Sequence, residues 1–250
     1  MASKSVFQRY ELKYMLTQKQ KEKVLSAMEP YMRLDDYGRS TIRNIYYDTD
    51  TYLLIRRSIE KPAYKEKLRI RTYNKGTGED KVFVELKKKY DHVVYKRRVS
   101  LQESEAVDWL EKRNPSQRDL SKHKAQIAKE IDWVLDQYEN LRPAVYLSYE
   151  REAYYALDGS DFRVTFDDHI LGRTEELSFQ SENYGTLILP EDRALMEIKC
   201  SGGIPLWMTK VLSEEKIYKT SFSKYGTLYK NVIFPQINTG KERVAYREGV

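Results

Sequence analysis

Charged and apolar residues alternate most regularly between residues 64 and 99. In the run 67–71, with the sequence KLRIR, the basic residues occupy the odd-numbered positions and the aliphatic residues the even-numbered positions. We call each such set of alternate positions a parity. The run 82–87, VFVELK, repeats the pattern and adds a carboxylate, Glu85, to the charged parity. A period of two predicts β-strands with one charged face and one apolar face. We therefore expect two neighbouring strands whose charged faces lie side by side.

A third strand is predicted over 92–100, where Lys96 and Arg98 occupy one parity and Arg97 the other. Residues 74–80, which contain Asn, Gly and Asp, are predicted to form the connection between the first two strands. An amphipathic sheet with its charged face in water is one interpretation of this region. The same mixture of basic residues and glutamate in other strands favours a functional face instead.

The alternation returns outside this region. Glu11 and Lys13 share a parity in a strand predicted over 7–14, and Glu197 and Lys199 share one over 194–199. Further strands are predicted over 41–47, 144–151, which carries Tyr149 and Arg151, and 161–167, which carries Arg163. Helices are predicted over 17–28, 52–59, 104–112, 119–138, 206–215 and 223–230, the first opened by a capping box of Thr17 and Gln20. The helical Trp109 and Trp133 are expected in the core.

These elements predict an α+β fold with a charged interior. We expect an antiparallel, eight-stranded tunnel β-barrel with a polar, basic lumen and with helices packed outside. The lumen would carry Lys13, Lys67, Arg69, Arg71, Lys87, Arg151, Arg163 and Lys199. Burying so many cations requires compensating anions, so a polyanionic ligand is predicted.

Three glutamates on the same faces, Glu11, Glu85 and Glu197, are predicted to hold a divalent metal that bridges phosphate oxygens. Ser223 is predicted to cap the last helix, which places Lys224 at a helix N-terminus that favours anions.

Composition narrows the class of protein. The 250 residues are expected to form a single domain over 1–250, with a loose polar tail over 235–250, and the net charge of +6 suggests an anionic partner. A lone Cys200 excludes an intramolecular disulfide. No apolar run approaches the ~18 residues that span a bilayer, and the N-terminal segment lacks the apolar core of a signal peptide. We expect a cytoplasmic protein. Nucleic acid is disfavoured because the aromatic residues are too scattered to form a stacking platform.

Seven short motifs occur in a fixed order along the chain: YELKY, LRIRTY, VFVELKKK, YEREAYY, FRVTFDD, LMEIK and SFSKYG. This ordered set resembles the catalytic domain of the vacuolar transporter chaperone (VTC) family, the polyphosphate polymerase domain, and it covers roughly residues 7–229. That family belongs to the triphosphate tunnel metalloenzymes, together with the CYTH proteins.

The resemblance implies an enzyme that makes inorganic polyphosphate from ATP inside the tunnel with Mn²⁺ or Mg²⁺. Carried over by motif, the phosphate-binding residues would be Lys13, Arg69, Arg71, Lys87, Arg151, Arg163 and Lys224 with Ser223. Tyr149 would line the tunnel and Glu197 would bind the metal. Lys67, Lys96 and Lys199 are added from the parity pattern as further substrate-binding residues.

Two alternatives stay open at this point. Triphosphatases and cyclases of the wider superfamily begin with alternating glutamates, E-x-E-x-K, whereas here Arg9 replaces the first acid, which favours the polymerase branch. A metal-dependent hydrolase of triphosphate or short polyphosphate would nevertheless share the same tunnel. A non-catalytic module that binds polyphosphate is the other alternative.

Overall fold

The protein is described from a computed structural model, which covers residues 10–73, 79–91, 93–113, 122–138 and 140–245. The chain divides into two compact units. Unit 1 takes its residues from Met1–Thr41, Tyr149–Ile170 and Leu189–Phe222. Unit 2 takes its residues from Ile42–Ser148, Leu171–Ile188 and Ser223–Val250. Most of the predicted connection over 74–80 lies outside the described residues.

The described strands and helices have the following bounds. The strands are β1 Tyr10–Thr17, β2 Met32–Leu34, β3 Ser40–Asp48, β4 Tyr64–Thr72, β5 Lys81–Tyr90, β6 Val93–Gln102, β7 Arg142–Ala156, β8 Arg163–Arg173, β9 Thr186–Leu187, β10 Arg193–Cys200 and β11 Lys219–Thr220. The helices are α1 Gln18–Met28, α2 Leu53–Glu60, α3 Glu103–Lys112, α4 Lys122–Gln137, α5 Leu206–Glu214, α6 Lys224–Leu228 and α7 Phe234–Ala245, with a π-helical turn over Tyr229–Ile233.

Unit 1 contains the strand order β11-β1-β10-β8-β7, with β2 paired to β7. The pairs β1–β10, β10–β8, β1–β11 and β2–β7 are antiparallel. One face of this sheet is apolar, and its buried Phe166 and Met196 pack in one cluster with Val24 of α1 and Met208 of α5. Helix α1 begins with the predicted capping box. The Thr17 hydroxyl accepts a hydrogen bond from the backbone N–H of Gln20, and the side-chain oxygen of Gln20 accepts one from the backbone N–H of Thr17.

Unit 2 contains the strand order β7-β3-β4-β5-β6, with β9 paired to β8. The pairs β3–β4, β4–β5 and β5–β6 are antiparallel. The apolar parity of β4 and β5 faces a core that includes Leu68, Val84 and Leu86, together with Trp109 of α3 and Ile131 of α4. Helices therefore cover the apolar side of this sheet, and the charged parity lies on the other side.

The mixed helix and strand fold with a large antiparallel sheet is confirmed. Within the described residues, eight strands have eight or more residues, and β2, β9 and β11 are short additions that period-2 analysis did not predict. Strands β11 and β6 are the outermost described strands of unit 1 and unit 2. Closure into a tunnel and the single-domain organisation stay predictions.

Two local expectations change. Trp133 was expected in the core but is 52% exposed, with the Lys88 ammonium 5.4 Å from its ring centroid, whereas Trp109 is buried. Ile131 and Val134 of α4 cover the apolar side of the sheet, so Trp133 is not needed in the core. The described part of the predicted tail, 235–245, is helical and belongs to α7, Phe234–Ala245. None of the described helices is long and apolar enough to cross a membrane.

Candidate anion-binding site

The charged parities of β4, β5 and β6 form one face of the unit 2 sheet. Arg69 lies directly opposite Tyr46 on β3 and opposite Glu85 on β5, and Glu85 lies opposite Arg98 on β6. Residues that are directly opposite in an antiparallel pair place their side chains on the same face. We call the following set the unit 2 basic face: Asn44, Tyr46, Lys67, Arg69, Arg71, Glu85, Lys87, Lys96 and Arg98.

Glu85 lies at the centre of this face, and its side chain is only 2% exposed. Its Oε2 accepts hydrogen bonds from Arg69 Nε at 2.9 Å and Nη2 at 2.7 Å, and Arg71 Nε lies 3.8 Å from the same oxygen. Lys96 Nζ at 2.8 Å and Arg98 Nε at 3.1 Å form ion pairs with Oε1. These last two contacts are close charge pairs without well-aligned hydrogen-bond geometry. Four cations thus surround one carboxylate.

The surrounding charges control ionisation on this face. Burial alone would raise the pKa of Glu85, but the charges of Arg69, Arg71 and Lys96 outweigh burial and hold that pKa well below its usual range. Burial lowers the pKa of Lys96 despite its contact with Glu85. Glu85 is therefore a carboxylate throughout the physiological pH range.

Strand β3 contributes two neutral groups to the face. Arg69 Nη1 donates to the Tyr46 hydroxyl at 2.7 Å, and Arg71 Nε donates to Asn44 Oδ1 at 2.9 Å. Burial would raise the pKa of Tyr46, but the charges of Arg69 and Arg71 outweigh it and lower that pKa. The phenol consequently lies in a strongly positive environment.

Lysines extend the basic character along the strands. Lys87 lies opposite Lys67 on β4 and opposite Lys96 on β6. Lys67 Nζ donates to Ser223 Oγ at 3.1 Å, and Ser223 Oγ accepts from the Gly226 amide at 3.2 Å, so this serine caps α6 as predicted. Helix α6 is only five residues long, so any role of Lys224 rests on its own charge rather than on a helix dipole.

The polar face of the unit 1 sheet has a more balanced charge. Glu11 lies opposite Lys199, which lies opposite Arg163, and Lys13 lies opposite Glu197, which lies opposite Thr165. We call the following set the unit 1 mixed face: Glu11, Lys13, Tyr149, Arg151, Arg163, Thr165, Asp167, Glu197 and Lys199. It carries four basic residues and three carboxylates, whereas the unit 2 basic face carries six basic residues and one carboxylate.

Most charged side chains of the unit 1 mixed face form ion pairs with each other. Arg151 donates through Nε to Asp167 Oδ1 at 2.6 Å and through Nη2 to Oδ2 at 2.7 Å, and the guanidinium also lies 5.1 Å from the Tyr149 ring centroid. Burial alone would lower the pKa of Arg151, but the charge of Asp167 outweighs it and raises that pKa. Lys199 Nζ lies 2.9 Å from Glu197 Oε1, and Lys13 Nζ donates to the Phe222 carbonyl at 2.8 Å.

Comparison with known protein families then settles where this chain belongs. The model of the VTC domain matches residues 8–233. The chain belongs to the VTC-domain family. The match covers every described residue of the unit 2 basic face and of the unit 1 mixed face.

Other comparisons add little to the VTC-domain assignment. Comparison with curated proteins found no match. Among solved structures, a proposed adenylate cyclase from Bacillus halodurans is 16% identical, with a TM-score of 0.49, 85% of this chain covered and 92% of that chain. A second proposed adenylate cyclase, from Vibrio parahaemolyticus, is 9% identical, with a TM-score of 0.44 and coverages of 89% and 97%. At such scores these likenesses do not bear on the function of this VTC domain.

The three predicted metal ligands lie in different surroundings, and their role as metal ligands stays a prediction. Both oxygens of Glu85 face cations, so a metal ion there would be repelled by Arg69 and its neighbours. Glu197 pairs with Lys199, and Glu11 lies on the neighbouring strand of the same face. One or two carboxylates together with substrate phosphates are the usual ligands of Mg²⁺. In the described ranges no group of three or more His, Cys, Asp or Glu could hold a metal.

The structure groups the predicted site residues in two sets. Within unit 2 it brings together Lys67, Arg69, Arg71, Glu85, Lys87, Lys96 and Ser223, with Lys224 adjacent. Within unit 1 it brings together Glu11, Lys13, Tyr149, Arg151, Arg163, Glu197 and Lys199. Sequence reasoning did not assign Asn44, Tyr46, Arg98, Thr165 or Asp167 to a site. For Arg98, Thr165 and Asp167 the available signal was their alternation with Lys96 or Arg163 on the same strands. The binding roles of all these residues stay predictions.

Proposed function

We propose that this VTC domain is a polyphosphate polymerase that transfers the γ-phosphoryl group of ATP to a growing polyphosphate chain. The observation that carries the proposal is the composition of the unit 2 basic face, which contains six basic residues and one carboxylate, Glu85. Membership of the VTC-domain family supports it. Manganese or magnesium as the metal, and a cytoplasmic location, belong to the same proposal.

The charge imbalance favours a polyanion over a single small anion. Glu85 already pairs with Arg69, Arg71, Lys96 and Arg98, yet the face retains a large net positive charge with Lys67 and Lys87 beside it. Like charges held a few ångströms apart in a partly buried environment repel strongly. A phosphate chain that runs along β4 and β5 would relieve this repulsion at several points at once.

The residue types suit phosphoryl transfer. In that reaction the protein contributes mainly positioning and charge neutralisation, and no nucleophilic side chain is required. Arg69 and Arg71 present planar guanidinium groups, which bind phosphate oxygens with defined geometry, and the lysines add point charges. A divalent cation, when bound, would neutralise part of the charge on the transferred group. The basic side chains would hold donor and acceptor phosphates in line.

A non-catalytic polyphosphate-binding module is the second candidate. It is favoured by the ion pairs that Glu85 and Glu197, two of the predicted metal ligands, already make with basic residues. Such a module would need the basic face and nothing else.

Product analysis separates these possibilities. The purified protein is incubated with ATP and manganese, and the products are resolved on a gel stained for polyphosphate, with Arg69→Ala and Glu197→Ala as variants. We expect a ladder of polyphosphate that both variants lose. Orthophosphate released from tripolyphosphate without a ladder would instead identify a hydrolase. Tight polyphosphate binding without either product would refute the enzyme and leave the binding module.

A further inference from the structure

Two neutral residues of β3, Tyr46 and Asn44, each contact one arginine of the unit 2 basic face. Tyr46 lies directly opposite Arg69 and accepts from its Nη1, whereas Asn44 lies directly opposite Arg71 and accepts from its Nε. On the β5 side, Glu85 Oε2 accepts hydrogen bonds from Nε and Nη2 of Arg69. The planar guanidinium of Arg69 is thus held at two places, which restricts its rotation.

We infer that Tyr46 and Asn44 are positioning residues, which fix the orientation in which Arg69 and Arg71 meet a bound phosphate chain. Both residues are buried, with Tyr46 8% and Asn44 0% exposed, so they are poorly placed to bind a ligand themselves. The inference rests on the proposed function in one respect, namely that the unit 2 basic face binds polyphosphate.

Neutrality is the chemical reason for these residue types. A carboxylate at position 46 or 44 would also hold an arginine, but it would cancel a positive charge that the anion needs. A phenol and an amide accept a hydrogen bond from the guanidinium and leave its charge in place. Beyond the partial compensation by Glu85, the two arginines therefore keep their charge as fixed donors, which is the arrangement that stabilises a bound or reacting phosphate group.

Both residues are themselves tied to the scaffold of unit 2. Asn44 Nδ2 donates to the Leu147 carbonyl of β7 at 3.1 Å. The Tyr46 ring packs against the Tyr225 ring with centroids 5.1 Å apart. The Tyr225 hydroxyl donates to Asp48 Oδ2 at 2.9 Å.

Asp48 completes this support. Its carboxylate also accepts from the backbone amides of Leu54 at 2.8 Å and Ile55 at 3.0 Å, in the first turn of α2. Tyr46 is therefore backed by a chain of contacts that ends on a helix. Residues that do not contact the ligand can in this way hold a ligand-binding side chain in the orientation that binding requires.

The experiment compares two tyrosines on opposite faces of one strand. Tyr46→Phe removes the hydroxyl that holds Arg69, and Tyr47→Phe removes a hydroxyl that donates to Glu111 at 3.3 Å on the core side. Affinity for inorganic tripolyphosphate is measured by titration calorimetry. We expect Tyr46→Phe to bind about tenfold more weakly, the loss typical of one hydrogen bond to a charged group, and Tyr47→Phe to bind like the natural protein.

A double-mutant cycle separates positioning from general structural support. If Tyr46 acts through Arg69, then adding Tyr46→Phe to Arg69→Gln costs no further affinity. Full additivity of the two losses would show a merely structural role and overturn the inference, as would natural affinity in Tyr46→Phe. Should Arg69→Gln fail to fold in thermal unfolding, the comparison of the two tyrosine variants decides alone. Failure of the natural protein to bind tripolyphosphate would overturn the proposed function, and the inference with it.

Discussion

Removing the charge of Glu85 should destabilise the protein more than any other single charge removal on the unit 2 basic face. In Glu85→Gln the remaining amide oxygen can still accept from Arg69 at 2.7 and 2.9 Å, but it is no longer charged, and the new amide NH2 group faces Lys96 and Arg98, which lose their ion pairs at Oε1. Four cations would then face one another across a neutral amide. The carboxylate is 2% exposed, so water cannot replace it easily.

The magnitude follows from the burial of the partners. Removing one member of a buried ion pair costs about 3–5 kcal/mol, because the other charge stays buried without compensation. Lys96 is 48% and Arg98 36% exposed at their side chains, so both can turn toward water and recover part of the loss. We therefore expect Glu85→Gln to lower the free energy of unfolding by about 3 kcal/mol, the low end of that range.

The assay is urea unfolding at pH 7, followed by tryptophan fluorescence. Glu130→Gln is the matched control, because Glu130 pairs with Arg97 at 3.0 Å on the helix-covered face and both side chains are partly exposed. A pair of that kind contributes about 0–1 kcal/mol. Saturating tripolyphosphate should narrow the difference between Glu85→Gln and the natural protein, since the ligand supplies the missing negative charge.

Two results would refute this reasoning. Equal stability of Glu85→Gln and the natural protein at pH 7 would show that Glu85 does not hold the four cations together. An unchanged difference in saturating tripolyphosphate would show that the ligand does not approach these cations.

Three further predictions concern stability. The pKa of Glu85 is depressed in the folded protein. Its contribution to the free energy of unfolding is therefore present above the unfolded pKa of about 4.3 and is lost as pH falls below that value. The urea midpoint of the natural protein should consequently fall more steeply from pH 5 to pH 3 than that of Glu85→Gln. Thr17→Ala removes the capping box shared with Gln20 and should cost about 0.5–2 kcal/mol in urea unfolding, and no change would contradict that cap. Gly172→Ala would place a Cβ 2.7 and 2.8 Å from the Leu228 methyl groups and should cost about 1–3 kcal/mol by overpacking; a melting temperature equal to the natural one would argue against that close approach.

The faces of the strands could be predicted from the sequence, because side chains alternate with a period of two that any strand imposes. Arg69 and Arg71 were separated correctly from Leu68 and Ile70, and Glu85 was placed correctly beside them. The capping box that opens α1 was predictable for a similar reason, since its two residues are only three positions apart.

The partners of these residues could not be predicted. Tyr46 and Asn44 are neutral and carry no charge pattern, so only the register of β3 against β4 identifies them. A glutamate that binds a metal and one that pairs with arginines follow the same alternation, which is why Glu85 was predicted as a metal ligand although cations surround it. Trp133 illustrates a further limit, because helical periodicity does not set how far around the helix the core extends.

The central claim is that the unit 2 basic face binds polyphosphate, and one comparison tests it most directly. Affinity for tripolyphosphate is measured in the natural protein, in Arg69→Gln and in Arg97→Gln, whose arginine lies on the opposite face of the same sheet and pairs with Glu130. The account predicts binding that Arg69→Gln weakens at least about tenfold and that Arg97→Gln leaves unchanged. Equal losses in the two variants, or no binding by the natural protein, would contradict it.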